Sequence, residues 1–260
     1  IRRQRQMCIR DRGETYQTLT DRFIEAMHDD EQMINILPPD EEPRATRFID
    51  EIVELIRRLE DAGYAYLGTN GDVYYRVRKF ENYGRLSGHP LDRLESGARV
   101  EPDEAKEDPL DFALWKAWKP DEPYWESPWG RGRPGWHIEC SAMAIRYLGD
   151  SVDIHGGGVD LVFPHHENEI AQSEGACGEP FSRFWVHVEH LLVNNEKMSK
   201  SLGNVFTIQE ILERGYRASA LRYALLSVHY RKQLKFSWLS LEQAEESLRR
   251  LMGFLDRLDD

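Results

Sequence analysis

The chain has 260 residues, of which 40% are hydrophobic, 31% charged and 11% aromatic. That is enough apolar and ring material for a packed core, and it excludes an intrinsically disordered chain. Lys and Arg number 34 against 46 Asp and Glu, a formal net charge of −12, which excludes a general nucleic-acid coat and leaves room only for a local basic patch. No apolar run approaches the roughly 20 residues that cross a bilayer, so no membrane partner is expected. The three cysteines, Cys8, Cys140 and Cys177, are too few and too odd for a disulfide scaffold and fit a reducing, cytoplasmic setting.

Residues 1–12 are arginine-rich, lack the apolar stretch of a signal peptide, and read as a non-native leader. Thr15 to His28 then predicts a helix, with Leu19, Phe23, Ile24 and Met27 on one face. After the break at Leu37-Pro38-Pro39-Asp40, the spacing predicts a second helix from Pro43 to Ala62, striped by Phe48, Ile52, Val53, Leu55, Ile56 and Leu59 and closed by Gly63. The period changes to two at Tyr64 to Leu67 and Val73 to Val77. These runs flank Asn70-Gly71, which predicts a hairpin. Gly84 to Pro128 reads as a charged, irregular insertion packed by Phe112, Leu114, Trp115 and Trp118.

Beyond it, a helix is predicted over Ile138 to Leu148, a short strand over Val152 to Ile154 leading into a glycine loop, and a helix from Phe163. A strand follows at Val186 to Val193, then helices at Ile208 to Arg214, Ala218 to Ser227 and Leu241 to Leu258. Strands alternating with helices point to an α/β fold with a parallel sheet.

Six of nine histidines fall between residues 137 and 190. Neutral imidazole is the commonest metal ligand, although any one of these could be a satisfied core residue. Within Pro164-His165-His166-Glu167-Asn168-Glu169, positions i and i+4 of a helix place His165 and Glu169 on one face. An ordinary surface ion pair has the same spacing. Cys140 adds a thiolate, and thiolate, imidazole and carboxylate together suit zinc. Gly156-Gly157-Gly158 after a strand reads either as a plain turn or as backbone that lets a nucleotide approach closely. In Lys197-Met198-Ser199-Lys200-Ser201, two lysines three apart and two hydroxyls on a Gly-flanked loop can wrap a polyphosphate and neutralise the charge that develops as pyrophosphate leaves.

With these residues in hand, the sequence resembles the class I aminoacyl-tRNA synthetases, whose second signature is this Lys-Met-Ser-Lys-Ser loop. Asp111 to Lys116, Ser127 to Gly130, Gly135 to Met143, His155 to Asp160 and Pro164 to Glu169 narrow the likeness to the cysteinyl-tRNA synthetase family, from about Gly13 to Asp260. The resemblance implies ATP-dependent ligation of L-cysteine to its cognate tRNA, with Mg2+ accompanying ATP. It implies Cys140, His165 and Glu169 as three of four ligands of a Zn2+ that binds the substrate thiolate. It further implies Trp136 and His155 as substrate-binding, Gly156, Gly157, Gly158, Asp160 and Lys200 as ATP-binding, and Lys197 and Lys200 as catalytic. The family's first signature, His-Ile-Gly-His, and its N-terminal zinc-ligating Cys are absent from these residues, so the chain is expected to be an internal piece, inactive by itself.

The implied architecture is an incomplete Rossmann-like catalytic domain of a monomer. Residues 13–63 would end its first half, 64–125 form a connective-peptide insertion, and 126–195 form the second half with the zinc site. Residues 196–235 would carry the signature loop and stem-contact region, and 236–260 the start of a helical anticodon-binding region. Two alternatives stay open: the cysteine ligase of mycothiol biosynthesis, which shares the zinc and the lysine loop, and an inactive zinc-stabilised structural protein.

Overall fold

The computed structural model describes residues 13, 15–89, 104–193, 196–198 and 203–258, divided between two units, Glu41–Val188 and a second made of Ile1–Asp40 with Glu189–Asp260. In the second unit, helix α1 (Tyr16–Met33) begins where the Thr15 hydroxyl accepts the Thr18 N–H, closing an exposed N-terminal donor. Of its predicted apolar face only Leu19 is buried; Phe23 and Met27 are exposed.

The unit Glu41–Val188 opens with α2 (Ile49–Asp61), which buries Ile52, Leu55, Ile56 and Leu59. The predicted start at Pro43 is too early. Ala45–Arg47 forms a separate 3-10 turn, and Phe48, buried in the core, holds a non-helical φ of −117° between the two. The helix ends at Gly63, whose φ of +74° is cheap only without a Cβ. The hairpin forms as the Asn-Gly signal predicts: β1 (Ala65–Leu67) pairs antiparallel with β2 (Val73–Tyr75), Ala65 opposite Tyr75. Within its turn the Asn70 side chain accepts the Asp72 N–H.

One expectation fails here. Residues 112–117, read as part of an irregular insertion, form strand β3 (Phe112–Ala117), which pairs with β2 and with β4 (Gly132–Pro134) in a four-stranded antiparallel sheet. Leu114 and Trp115 on β3 are fully buried. The charged flanks masked a short apolar run whose partners lie far away in sequence.

Helix α3 (Trp136–Leu148) leads into β5 (Val152–Gly158), α4 (Glu167–Cys177) and β6 (Ser182–Val188). Strands β5 and β6 are parallel, with His155 opposite Trp185 and Gly157 opposite His187. This β–α–β unit is the parallel α/β element that the alternation predicted, and the remaining sheets are antiparallel or mixed. Tyr75 donates its hydroxyl to the Ala171 carbonyl at 2.7 Å, tying the antiparallel sheet to α4. Gln172 donates to the Ser141 hydroxyl at 2.9 Å, tying α4 to α3.

The strand predicted over Val186 to Val193 is two strands. β6 stops at Val188; β7 (Leu191–Val193) belongs to the other unit, where the Glu189 N–H donates to the Tyr230 carbonyl. There it pairs with β8 (Glu196–Lys197), and the rest of the unit is α5 (Ile208–Glu213), α6 (Ala218–Leu226), β9 (Leu234–Phe236, parallel to β7) and α7 (Trp238–Leu255). Capping boxes at Thr207 and Ser237 start α5 and α7. Val193, Ile211, Leu221, Phe236 and Leu241 form its core. Among the described residues no helix is long and apolar enough to cross a membrane.

A buried carboxyl fastens the hairpin to the insertion. Asp111 accepts the Tyr66 hydroxyl at 2.7 Å, the Val77 N–H at 2.9 Å and the Asp108 N–H at 3.2 Å. Arg76 pairs through two nitrogens with Glu107 and lies over the Tyr66 ring. Asp111→Ala strands two buried donors, and each costs about 1–3 kcal/mol, so urea unfolding should report a loss of roughly 2–4 kcal/mol. Glu126→Ala, which breaks the exposed Arg131–Glu126 pair, should change stability by less than about 1 kcal/mol.

Candidate metal centre and substrate pocket

Three stretches of the unit Glu41–Val188 supply the site: the first turns of α3, the facing side of β5 and β6, and the turn entering α4. That turn is irregular. Val162–His166 is a widened, π-type turn in which Phe163 takes extended angles (φ −137°, ψ 133°), and regular helix begins only at Glu167. His165, His166, Glu167, Asn168 and Glu169 are all buried.

The donor atoms of Cys140, His165 and Glu169 lie within 4.8 Å of one another, and so do those of His155, His166 and Glu169. His165 Nε2 is 2.9 Å from Glu169 Oε1 and His155 Nε2 is 3.3 Å from Oε2. Neither ring N–H is aligned well enough to satisfy the carboxyl, and both Glu169 oxygens are buried without a hydrogen bond among the described residues. Two imidazole pairs surround this centre: His137 Nδ1 to His165 Nδ1, and His166 Nδ1 to His187 Nε2, each at 2.8 Å. In each pair one nitrogen donates and the other accepts, which fixes complementary tautomers.

Burial sets the electrostatics. It pushes His137 and His166 down to about 4, so both rings are neutral at pH 7. Burial, then Glu169 and Glu139, pushes the Cys140 thiol up to about 12. Burial lifts Glu139 to about 7. In Glu169 burial acts upward as well, but neighbouring His155 and His165 outweigh it and hold the carboxyl below its ordinary range.

An anionic carboxyl buried without an aligned donor, beside a thiol and a neutral imidazole, is a set that a divalent cation completes. The mixed sulfur, nitrogen and oxygen donors fit zinc.

Trp136 stands at the mouth, 60% exposed, with its ring centroid 4.3 Å from that of His165. His155 faces inward from β5 between His166 and Trp185, at centroid distances of 4.9 Å to each. The three glycines are not a loop, as the sequence reading had them, but the last residues of β5. A Cβ at Gly157 would stand 3.0 Å from a His166 ring carbon, and one at Gly158 would stand 2.5 Å from an Asp160 oxygen. The absent side chains thus first make room for the protein's own groups. Asp160 is exposed on the 3-10 turn that follows. Lys197 ends β8; Ser199, Lys200 and Ser201 lie outside the described residues.

Sequence reasoning missed Trp185. Its ring stacks on His187 with planes 2° apart and walls off the imidazole cluster with Phe181. Its signal was available: Trp185 and His187 are two apart on a strand and so share a face.

The shifts give a sign for acid sensitivity. His137 and His166 bind protons in the unfolded chain below about 6.5 but in the folded chain only near 4, so each withdraws stability as pH falls through that window. Glu139 acts oppositely, holding its proton up to about 7 when folded. Metal-free protein should therefore lose stability from pH 6.5 to pH 4.5, and Glu139→Gln should lose it more steeply. Denaturant midpoints across this range check both signs.

Residues 7–246 match the family described as "tRNA synthetases class I (C) catalytic domain". The Cysteine--tRNA ligase of Methylococcus capsulatus is 61% identical over 239 residues, 92% of this chain and 51% of that protein. That of Hahella chejuensis is 57% identical over 249 residues, 96% of this chain and 53% of that protein. The chain thus spans about half the length of the curated relatives it matches. Among solved structures, Mycobacterium tuberculosis methionyl-tRNA synthetase in complex with methionyl-adenylate aligns at TM-score 0.65 over 91% of this chain and 57% of that one, at 16% identity, a likeness of fold alone. With its family match over residues 7–246 and relatives of this identity, the chain belongs to the class I tRNA synthetases of the cysteine type, in their catalytic domain.

Proposed function

We propose that the protein to which these residues belong activates L-cysteine with ATP and transfers it to the cognate tRNA. The observation that carries this reading is the meeting of Cys140, His165 and a buried, unsatisfied Glu169 in a chain 61% identical to a Cysteine--tRNA ligase.

In the proposed reaction the cysteine carboxylate attacks the α-phosphorus of ATP and pyrophosphate departs. The terminal adenosine hydroxyl of the tRNA then attacks the acyl carbon and AMP leaves. Cys140, His165 and Glu169 hold zinc, and zinc bound there supplies a preference for sulfur over oxygen. A pocket that engages the distinguishing atom of cysteine rejects serine at the binding step, with no separate editing site. Trp136 closes over the side of the pocket, and His155 orients the buried carboxyl at its floor. Gly156, Gly157, Gly158 and Asp160 face the adenosine. Lys197 and Lys200 grip the phosphates, with Mg2+ accompanying ATP, and stabilise the charge that grows on departing pyrophosphate. This chemistry is mostly positioning and charge stabilisation, carried out by a cytoplasmic monomer.

Lys200→Ala in the whole natural protein should lower cysteine-dependent ATP–pyrophosphate exchange by roughly 10²–10³, the effect of losing one electrostatic donor. Cysteine binding without ATP should stay close to wild type. An unchanged exchange rate would overturn the role of Lys200. Charging assays with tRNA and with an amino sugar separate this reading from a mycothiol-type cysteine ligase: only the tRNA hydroxyl should be acylated, and no amide to the sugar amine should form. Cys140→Ser should carry less zinc after dialysis, read by elemental analysis.

A further inference from the structure

We propose that Glu167 is a positioning residue for the donor cluster: its carboxyl clamps the loop Tyr83–Ser87 onto the turn bearing His165 and Glu169, and so sets where those ligands point. The proposal rests on the reading of Cys140, His165 and Glu169 as a metal centre.

Glu167 is fully buried, and a buried carboxyl is costly unless its oxygens are occupied. Both are occupied, and neither by the metal cluster. Oε2 accepts the Gly84 N–H at 2.9 Å and Oε1 the Ser87 N–H at 2.6 Å. Gly84 presents its N–H from a φ of +89°, a conformation that a side chain would strain. The next residue repeats the attachment: the Tyr83 hydroxyl donates to Asn168 Oδ1 at 2.5 Å. The rings of Tyr83 and His89 both stand edge-on to Phe163, at 6.5 and 6.2 Å. Three residues of the ligand-bearing stretch, Phe163, Glu167 and Asn168, thus face the loop, while His165 and Glu169, alternating with them, face the donor cluster.

The clamp matters because the backbone leaves helical angles at Phe163, two residues before His165. An ordinary helix fixes side-chain direction through its i to i−4 ladder. Here Phe163 is extended and His165 precedes the regular helix, so the direction of its ring depends on what is packed outside it. Outer partners of this kind are typically worth about 10- to 100-fold in metal affinity.

The test uses the whole natural protein titrated with Co2+, reading the sulfur-to-cobalt and d–d absorption bands, with zinc competition for affinity and thermal unfolding of the metal-free protein alongside. Glu167→Gln keeps the size but turns an NH2 toward a backbone donor. It should weaken binding by roughly 10- to 100-fold and shift the d–d bands. Tyr83→Phe removes one hydrogen bond and keeps the ring, and should weaken binding about fivefold, the worth of such a bond. Should Glu167→Gln not fold, Tyr83→Phe decides. Wild-type affinity and spectrum in folded variants that merely melt earlier would overturn the proposal and leave Glu167 a stabilising residue only. Absence of any cobalt band in the wild type would instead overturn the metal reading, and the proposal with it.

Discussion

The site is organised around a carboxyl that the fold buries and does not satisfy. Glu169 is fully buried, and neither of its oxygens receives an aligned hydrogen bond. An anion in that position would be expelled or protonated unless nearby groups favoured its charge. His155 and His165 do so, and their neighbours follow from them: a ring that leans on Glu169 with one nitrogen must find a partner for the other. His165 finds His137; His166, against the same cluster, finds His187. Trp185 packs against His155, His166 and His187, and Phe181 against His155 and Trp185. The imidazole cluster is thus a chain of compensations that begins with one buried charge.

Much of this was legible in the sequence where local spacing governs. The i, i+4 relation of His165 and Glu169, the Asn70-Gly71 hairpin and the limits of α3 all rest on contacts within a few residues. What the sequence hid depends on distant partners. β3 is a strand because β2 and β4 flank it, and its own charged surroundings argue for a loop. The glycines 156–158 read as a plain turn or a nucleotide-approaching loop after a strand, but parallel pairing with β6 draws them into β5. The irregularity before α4 lies at Phe163, and His165 and Glu169 keep their i, i+4 relation beyond it. Glu167 and Asn168 stood within the recognised motif without any role, because their partners at Tyr83, Gly84 and Ser87 are 80 or more residues away.

Each unit builds its own core by different means. In Glu41–Val188 a broad aliphatic stripe on α2 meets the aromatic residues of a small antiparallel sheet, and long-range hydrogen bonds from Tyr75 and Gln172 hold α4 in register with its neighbours. Both bonds lie within one helical turn of Glu169. Packing at the sheet and the position of Glu169 among its neighbours are consequently one problem, since α4 cannot shift without moving Glu169. The other unit starts α5 and α7 with capping boxes and joins β7 to the distant β9 in a three-stranded sheet.

Low polarity in the pocket has two opposed consequences for a cation. It keeps His137 and His166 neutral, which removes the positive charges that would repel a metal and leaves imidazole nitrogens free to accept. It also keeps the Cys140 proton on sulfur, with Glu169 and Glu139 adding to the effect. A divalent cation must displace that proton, because the thiolate is the ligand. Binding is therefore linked to proton release and strengthens with rising pH, while the protein without metal carries a buried anion next to a neutral thiol. Were a cation held by Cys140, His165 and Glu169, its mixed sulfur, nitrogen and oxygen donors would favour a borderline-soft ion, for which a thiolate is a better further ligand than a hydroxyl.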